Sequence, residues 1–352
     1  MASRIYLVTG AFGHVGSQIV QLLLGAGERV RALKFPGEDD SLLQGTDAEV
    51  YMGDVRDIDT LRPLFQIPEG FRAQVIHAAG IVSIAAQVDE NLRRVNVDGT
   101  RNVVELCRET HVQRLLYISS VHALPEKPRG EVVREMDAFD PDLVTGAYAK
   151  TKAEASQIVL DAAKEGLDAL IVHPSGIIGP GDNGNNHSNQ VFRDFLYGRL
   201  PAIVRGGYDF VDVRDVARGC LLALEKGRTG NGYILSNAHY DIRQLIGMLQ
   251  KITGQKRRVV ALPLWFVSAF APLAENIDRL RRQKPLFTRY SLYTLNTNDC
   301  FSNEKARTEL GYTVTPMEET MRDIVLWERM KSGPPKQREP KRKRVPAHAK
   351  GR

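Results

Sequence analysis

VTGAFGHVG, residues 8–16, sets glycines at positions 10, 13 and 16. An apolar, strand-like run, Ile5-Tyr6-Leu7-Val8, precedes it. Ser17-Gln18-Ile19-Val20-Gln21-Leu22-Leu23-Leu24 follows, apolar at helical intervals, and Gly25-Ala26-Gly27 supplies a stop. Strand, tight glycine turn and helix is the setting that a dinucleotide site requires. Glycines let the backbone approach a pyrophosphate, and the helix start offers unpaired N–H groups at the positive end of the dipole. Three glycines alone are a weak signal, so their meaning depends on the rest of the chain.

Apolar runs at 4–9, 29–34, 48–52, 74–79, 114–119 and 168–173 read as strands, with helices expected in the intervals. Alternation of this kind predicts an α/β fold, a Rossmann-type doubly wound parallel sheet with helices on both faces. A smaller C-terminal substrate lobe is expected beside it. The predicted division gives residues 1–175, with segments returning from about 208–237, to dinucleotide binding. Residues 176–207 and 238–330 go to the lobe. Ligands of such sheets sit at the carboxyl ends of the strands, and the unusual residues collect there. They are Thr9-Gly10, Gly53-Asp54-Val55, His77 to Gly80, Ser119-Ser120 and residues 173–182, HPSGIIGPGD. The glycine- and asparagine-rich GPGDNGNNHSNQ reads as a mobile loop.

At 352 residues the chain has enough length for a large core, and 43% hydrophobic with 26% charged residues is a globular composition. Cys107, Cys220 and Cys300 lie far apart without a CxxC pair, which argues against a disulfide framework or a zinc site and fits a reducing compartment. Met1-Ala2-Ser3-Arg4 leads straight into the first strand without a signal-peptide pattern, so a cytoplasmic location is expected. Residues 331–352 hold nine Lys/Arg against Glu339, a local +8; since the whole chain carries +6, residues 1–330 carry −2. That basic, proline-rich tail is expected to be disordered and solubilising, with no specific nucleic-acid partner. No apolar run is long enough to span a bilayer. The longest, ALPLWFVSAFAPLAENI at 261–277, is broken by Pro263 and Pro272. It reads as a core or lid helix, or as a peripheral membrane contact.

AYAKTKAEASQIV carries Tyr148 and Lys152, an i, i+4 pair on one helical face, between the fifth and sixth predicted strands. An ammonium near a phenol stabilises the phenolate and lowers the tyrosine pKa, which makes the phenol a usable acid or base near neutrality. A serine hydroxyl such as Ser120 would orient a substrate carbonyl for the same proton transfer.

TGAFGHVG, GDV, HAAG, NVDGT (Asn96 to Thr100), YISS, YAKTK, HPSGIIGP and FVDVRDVA (Phe210 to Ala217) follow one another in an order that resembles the extended short-chain dehydrogenase/reductases. The likeness runs over about residues 4–330. It is nearest the branch of dihydroflavonol reductases and 3β-hydroxysteroid dehydrogenases. The resemblance implies an oxidoreductase in which Tyr148 moves the proton, Lys152 holds the nicotinamide ribose and depresses the tyrosine pKa, and Ser120 binds the substrate oxygen. Ser119 is the alternative. Gly10, Phe12, Gly13, His14, Val15 and Gly16 would form the pyrophosphate loop. Asp54 and Val55 would flank the adenine, while Ala78, Ala79, Gly80 and Pro174 would line the cofactor. Asn96 would support the site from a neighbouring helix. Ser83 and Ile177 are candidate substrate contacts beside Ser120 and Tyr148, and His77 would pack behind the cofactor. No metal is implied. A homodimer paired through the helix of Tyr148 is expected on the same ground.

Two departures from the family pattern bear on specificity. NAD-specific members carry an acidic residue at the end of the second strand; here Lys34 stands there with Arg31 nearby, which favours NADP(H) over NAD(H) unless Lys34 merely points to solvent. Nucleotide-sugar enzymes of the family place an arginine just before the D-[FY]-[IV] stretch to clamp a diphosphate. Here that position is Tyr208, although Arg205 and Arg214 lie close by. The expected activity is therefore hydride transfer between nicotinamide and a carbonyl or secondary alcohol of an apolar small molecule, steroid-, terpenoid- or dihydroflavonol-like. A sugar-nucleotide epimerase or dehydratase with retained NAD is the alternative.

Overall fold

The computed structural model describes residues 3–83, 89–183, 186–200, 202–263 and 297–332. All six predicted strands form: β1 (Ser3–Thr9), β2 (Arg29–Lys34), β3 (Glu49–Met52), β4 (Phe71–His77), β5 (Arg114–Ile118) and β6 (Ala169–Pro174). Beyond them come β7 (Gly176–Ile178), β8 (Ala202–Val204), β9 (Gly207–Asp212), β10 (Gly232–Leu235), β11 (Ala238–Asp241) and β12 (Val260–Leu262). The main sheet is parallel throughout and runs β10-β6-β5-β4-β1-β2-β3. Strand order reverses at β1, the switch point where such sheets take their ligands.

Alternation along the strands divides two cores between the two faces. Beyond the short α2 (Ile58–Leu61) and α3 (Glu90–Arg93), Leu7, Val75, Leu115 and Ile171 face α4 (Gly99–Glu109) and α5 (Ala147–Lys164). Val8, Ile76, Leu116 and Val172 face α1 (His14–Gly25) and α7 (Val213–Lys226). Strands buried on both sides read as continuous apolar runs, which is why their sequences were recognisable. A third core joins α6 (His187–Leu196), α8 (Ile242–Thr253) and α9 (Met317–Ser332) around Phe192, Phe195, Leu245, Leu249 and Met321. Each such buried side chain contributes roughly 1.5–3 kcal/mol relative to exposure.

The structure corrects four expectations. Residues 35–48, between β2 and β3, form turns and no helix. The end of the supposed mobile loop is helical, since α6 starts at His187 with the Asn186 side chain accepting from Ser188 and Asn189 N–H. Of the returning segment, β9 lies in a separate sheet, β11-β9-β7, and only β10 joins the main one. Lys331 and Ser332 close α9, so the non-helical tail does not start at 331. Residues 264–277 of the apolar stretch and 333–352 of the basic tail lie outside the described residues. Among the described residues no helix is long and apolar enough to cross a membrane.

Candidate active site

The carboxyl ends of β1, β4, β5 and β6 converge on one edge of the sheet. Gly10 turns the chain out of β1 with φ +64°. A Cβ there would lie 2.6–2.8 Å from the Ala78–Ala79 backbone, and one at Gly16 would fall onto the Gly10 carbonyl. The first turn of α1 has no side-chain cap and no acidic residue. Its N–H groups therefore stay available to an anion, and the cradle is open where a side chain would fill it. Val15 packs half-buried against the core, and Phe12 is buried within it.

His14 turns away from that loop. Its Nε2 lies 2.9 Å from the Pro180 carbonyl and its Nδ1 3.1 Å from Asn186 Nδ2, so it ties α1 to the 180–186 segment. The same segment reaches the far side of the cradle, where Asn183 donates to Asp39 (2.9 Å) and Ser41 (3.1 Å). Half-buried Ile177 lends its carbonyl to Asn186 at 2.8 Å. Half-buried Ser83 follows the Gly80 turn.

Tyr148 sits in the first turn of α5, after Gly146 at φ +102°. Burial pushes its phenol up to about 12, and a hydrogen bond with Ser120 opposes that rise. The expected depression by Lys152 is not found, because the Lys152 ammonium turns elsewhere. It donates to the Ile118 carbonyl (2.8 Å) and the Tyr117 hydroxyl (3.2 Å), and burial brings it down to about 7. Of the two serines, Ser119 is spent on Ser156, Oγ to Oγ 2.7 Å, and Ser120 is the one beside Tyr148. His173 Nδ1 lies 3.2 Å from the Ser120 carbonyl and holds that backbone; Pro174 then ends β6.

Asn96 occupies a π-bulge, Arg94–Asp98, inside the helix that becomes α4. The bulge aims its amide at the 78–81 turn. Oδ1 accepts from Ile81 N–H (2.8 Å), while Nδ2 donates to the Ile81 carbonyl (3.0 Å) and Thr151 Oγ1 (3.1 Å). Asn96 therefore staples the cradle to α5, and π-bulges recur at functional sites for this kind of re-aiming.

Sequence reasoning missed two groups. His122 stacks on Tyr208 (5.7 Å, 12°) and meets the Tyr148 ring edge-on (6.1 Å). Tyr208 continues to Phe210 (6.2 Å) and Phe301 (6.0 Å), making an aromatic wall that leads away from Tyr148. Ring stacking of this kind has no local sequence signature. Tyr117 and Thr100 were likewise passed over inside YISS and NVDGT.

At the carboxyl end of β2, Lys34 pairs with Asp40 and lies 5.9 Å from the Phe12 ring. Arg31 is spent on Glu49 (3.1 Å) and the Leu64 and Gln66 carbonyls. Asp54 is held by Arg56 (2.6 Å), and buried Val55 packs under α4 while its carbonyl accepts from Asn102. Arg214, considered as a diphosphate clamp, is bound instead to Asp212 (2.7 Å) and Asp323 (2.6 Å). Among the described residues no three His, Cys, Asp or Glu stand together as a metal site.

Residues 6–238 match the model of the NAD dependent epimerase/dehydratase family. Sterol demethylase protein B of Methylococcus capsulatus is 34% identical over 325 residues, covering 91% of this chain and 97% of its own. The 4-hydroxy-2-methyl-3-oxo-4-farnesyl-3,4-dihydroquinoline-1-oxide ketoreductase of Stigmatella aurantiaca is 29% identical, covering 87% and 90% respectively. The crystal structure of gox2253 superimposes with a TM-score of 0.78 at 33% identity, over 93% of this chain and 98% of that one.

Proposed function

We propose that this chain, which belongs to the NAD dependent epimerase/dehydratase family, reduces a carbonyl of a fairly apolar small molecule to a secondary alcohol, or the reverse, with NADP(H) as favoured cofactor. The carrying observation is that Ser120, Tyr148 and Lys152 converge beside the glycine cradle, with Tyr148 in its proton-donating form at neutral pH. When bound, the nicotinamide supplies the hydride or takes it back. Gly10, Gly13, Gly16 and the first N–H groups of α1 hold the pyrophosphate. Lys152 has a remaining N–H for the ribose. The Ser120 hydroxyl orients the substrate oxygen, and Tyr148 gives its proton to that oxygen as negative charge develops there.

The aromatic wall from His122 through Tyr208 to Phe301 supports an apolar substrate, since it stands where a diphosphate clamp would need a free guanidinium. The names of the relatives, a sterol demethylase protein and a ketoreductase of a farnesyl-bearing quinoline oxide, point the same way. In this reading residues 1–175 with the returning α7 and β10 serve the cofactor and the remainder serves the substrate. For the cofactor, a 2′-phosphate would replace Asp40 as counter-ion to Lys34.

The test is to denature the purified protein, identify any released nucleotide by mass spectrometry, and titrate the emptied protein with NADPH and NADH. Exchangeable binding with NADPH about tenfold tighter, and NADPH consumption with sterol or terpenoid ketones, is expected. Stoichiometric NAD that survives purification would overturn the proposal in favour of an epimerase or dehydratase that recycles its hydride.

A further inference from the structure

A row of polar side chains crosses the sheet behind the cradle. Thr9 of β1 is the register partner of His77 of β4, and His77 is the partner of Tyr117 of β5. All three are buried at 0–1% exposure. His77 Nδ1 lies 2.6 Å from Thr9 Oγ1, and Nε2 lies 3.0 Å from Thr100 Oγ1. The His77 and Tyr117 rings stack at 5.5 Å. Lys152 Nζ, on α5, sits 3.2 Å from the Tyr117 hydroxyl and 4.8 Å from its ring centre.

The proton positions follow from the partners. Thr100 donates its hydroxyl hydrogen to the Asn96 carbonyl (2.7 Å) and so can only accept from its other neighbours. His77 Nε2–H is then the donor to Thr100. Thr9, which accepts from Ala79 N–H (3.3 Å), donates to His77 Nδ1. Lys152, an ammonium with donors and no lone pair, donates to the Tyr117 hydroxyl, which accepts. The row ends on an amide N–H and a backbone carbonyl, both parts of the fold. It therefore orients groups and conducts no proton to water.

We propose that Tyr117 is a positioning residue for Lys152: its hydroxyl, accepting from Lys152, fixes the direction of the buried ammonium and helps keep it charged. This rests on the reading of Lys152 as the group that serves the cofactor and Tyr148. The groups facing the ammonium are Tyr117 and the Ile118 carbonyl from β5 and the imidazoles of His77 and His173, with Tyr148 one turn back on its own helix. Burial holds His77 down to about 3 and His173 to about 4, so both are neutral above those values. Tyr117 and the Ile118 carbonyl are thus the neighbours that favour the charged form, and loss of either favours the neutral amine.

The test is heteronuclear NMR of the full chain, free of cofactor and carrying Cε-labelled lysine, with the Lys152 signal identified by its loss in Lys152→Met. Tyr117→Phe should lower the midpoint of Lys152 titration about tenfold in acid constant. Replacing Tyr117 by 3-fluorotyrosine, which keeps the ring and makes its oxygen a weaker acceptor, should lower it by a smaller amount. A Lys152 midpoint unmoved in Tyr117→Phe with a native amide spectrum overturns the proposal. Should Tyr117→Phe not fold, an unmoved midpoint in the 3-fluorotyrosine protein does so. Turnover by the wild-type protein is scored separately, so failure of the proposed reaction and failure of this positioning role give different results.

Discussion

The neighbours of buried Lys152 are a phenol, a backbone carbonyl and two neutral imidazoles. At the joint between α6 and α9, the neighbours of Arg193 are two carboxylates: Asp182 at 2.7 Å and Glu328 at 3.1 Å, 2% and 9% exposed. Both regions bury cations, yet one withholds counter-charges and the other supplies them. A cation without a carboxylate loses hydration and regains little, so its proton becomes movable near neutrality. A cation between two carboxylates is fixed in its charge state, and the geometry is fixed with it. The molecule keeps its protons mobile at the sheet edge and immobile at the joint.

Replacing each cation tests that contrast. Lys152→Met should cut turnover by about 10²–10⁴-fold and yet stabilise the cofactor-free protein at pH 7, by about 4 kcal/mol. Lys152 stands at about 7 in the fold against an ordinary value of 10.5, so its burial penalty is fully present below pH 7. That penalty fades as pH rises toward 10.5, and the advantage of the variant should shrink over the same window. Urea unfolding across pH 6–10 reads both ends; a variant less stable than wild type at pH 7 would break the comparison. Arg193→Ala should do the opposite, costing about 3–5 kcal/mol because two carboxylates are left buried without their cation. Equal urea midpoints for variant and wild type would refute the pairing.

A carboxylate built on the first plan gives the smallest effect. Asp209, buried in β9 with hydrogen bonds from Ser175 (2.5 Å) and Asn237 N–H (3.1 Å), is pushed by burial up to about 6. Between pH 6 and 3.8 the folded chain binds a proton that the unfolded chain does not, so this group adds stability as pH falls through that window. Asp209→Asn should flatten the slope and stabilise at pH 7 by about 1–2 kcal/mol. A stability profile unchanged between pH 7 and 4 would remove Asp209 from the set.

Sheet and cradle were legible because both follow local rules. Strands buried on two faces are apolar throughout, and glycines mark where backbone meets backbone. Tyr148 and Lys152 were legible through helical spacing, although their spacing suggested a mutual contact that the Tyr117 hydroxyl takes instead. The Thr9–His77–Tyr117 row was not legible, because it exists only in the register of three strands. His77 and Tyr117 do share one trace, each lying at or one residue before a strand end, just ahead of a small-residue turn. The Arg193 cluster joins partners 11 and 135 positions away, beyond any periodic signal. Residues 35–48 misled because short connections between parallel strands usually carry a helix, and here turns bridge the gap.

Strand order also imposes a timetable on synthesis. Six of the seven main strands are complete once residue 174 has emerged, but β10, which lies beside β6, comes only at Gly232–Leu235. During that interval the growing chain presents β6, buried at all six positions in the finished fold, as a bare parallel edge. Unpaired apolar edges recruit other strands. A ribosome stalled between these points would therefore hold a nearly finished sheet at its most adhesive. The late strand acts as a seal, and it arrives before the joint at Arg193 and Glu328 can close.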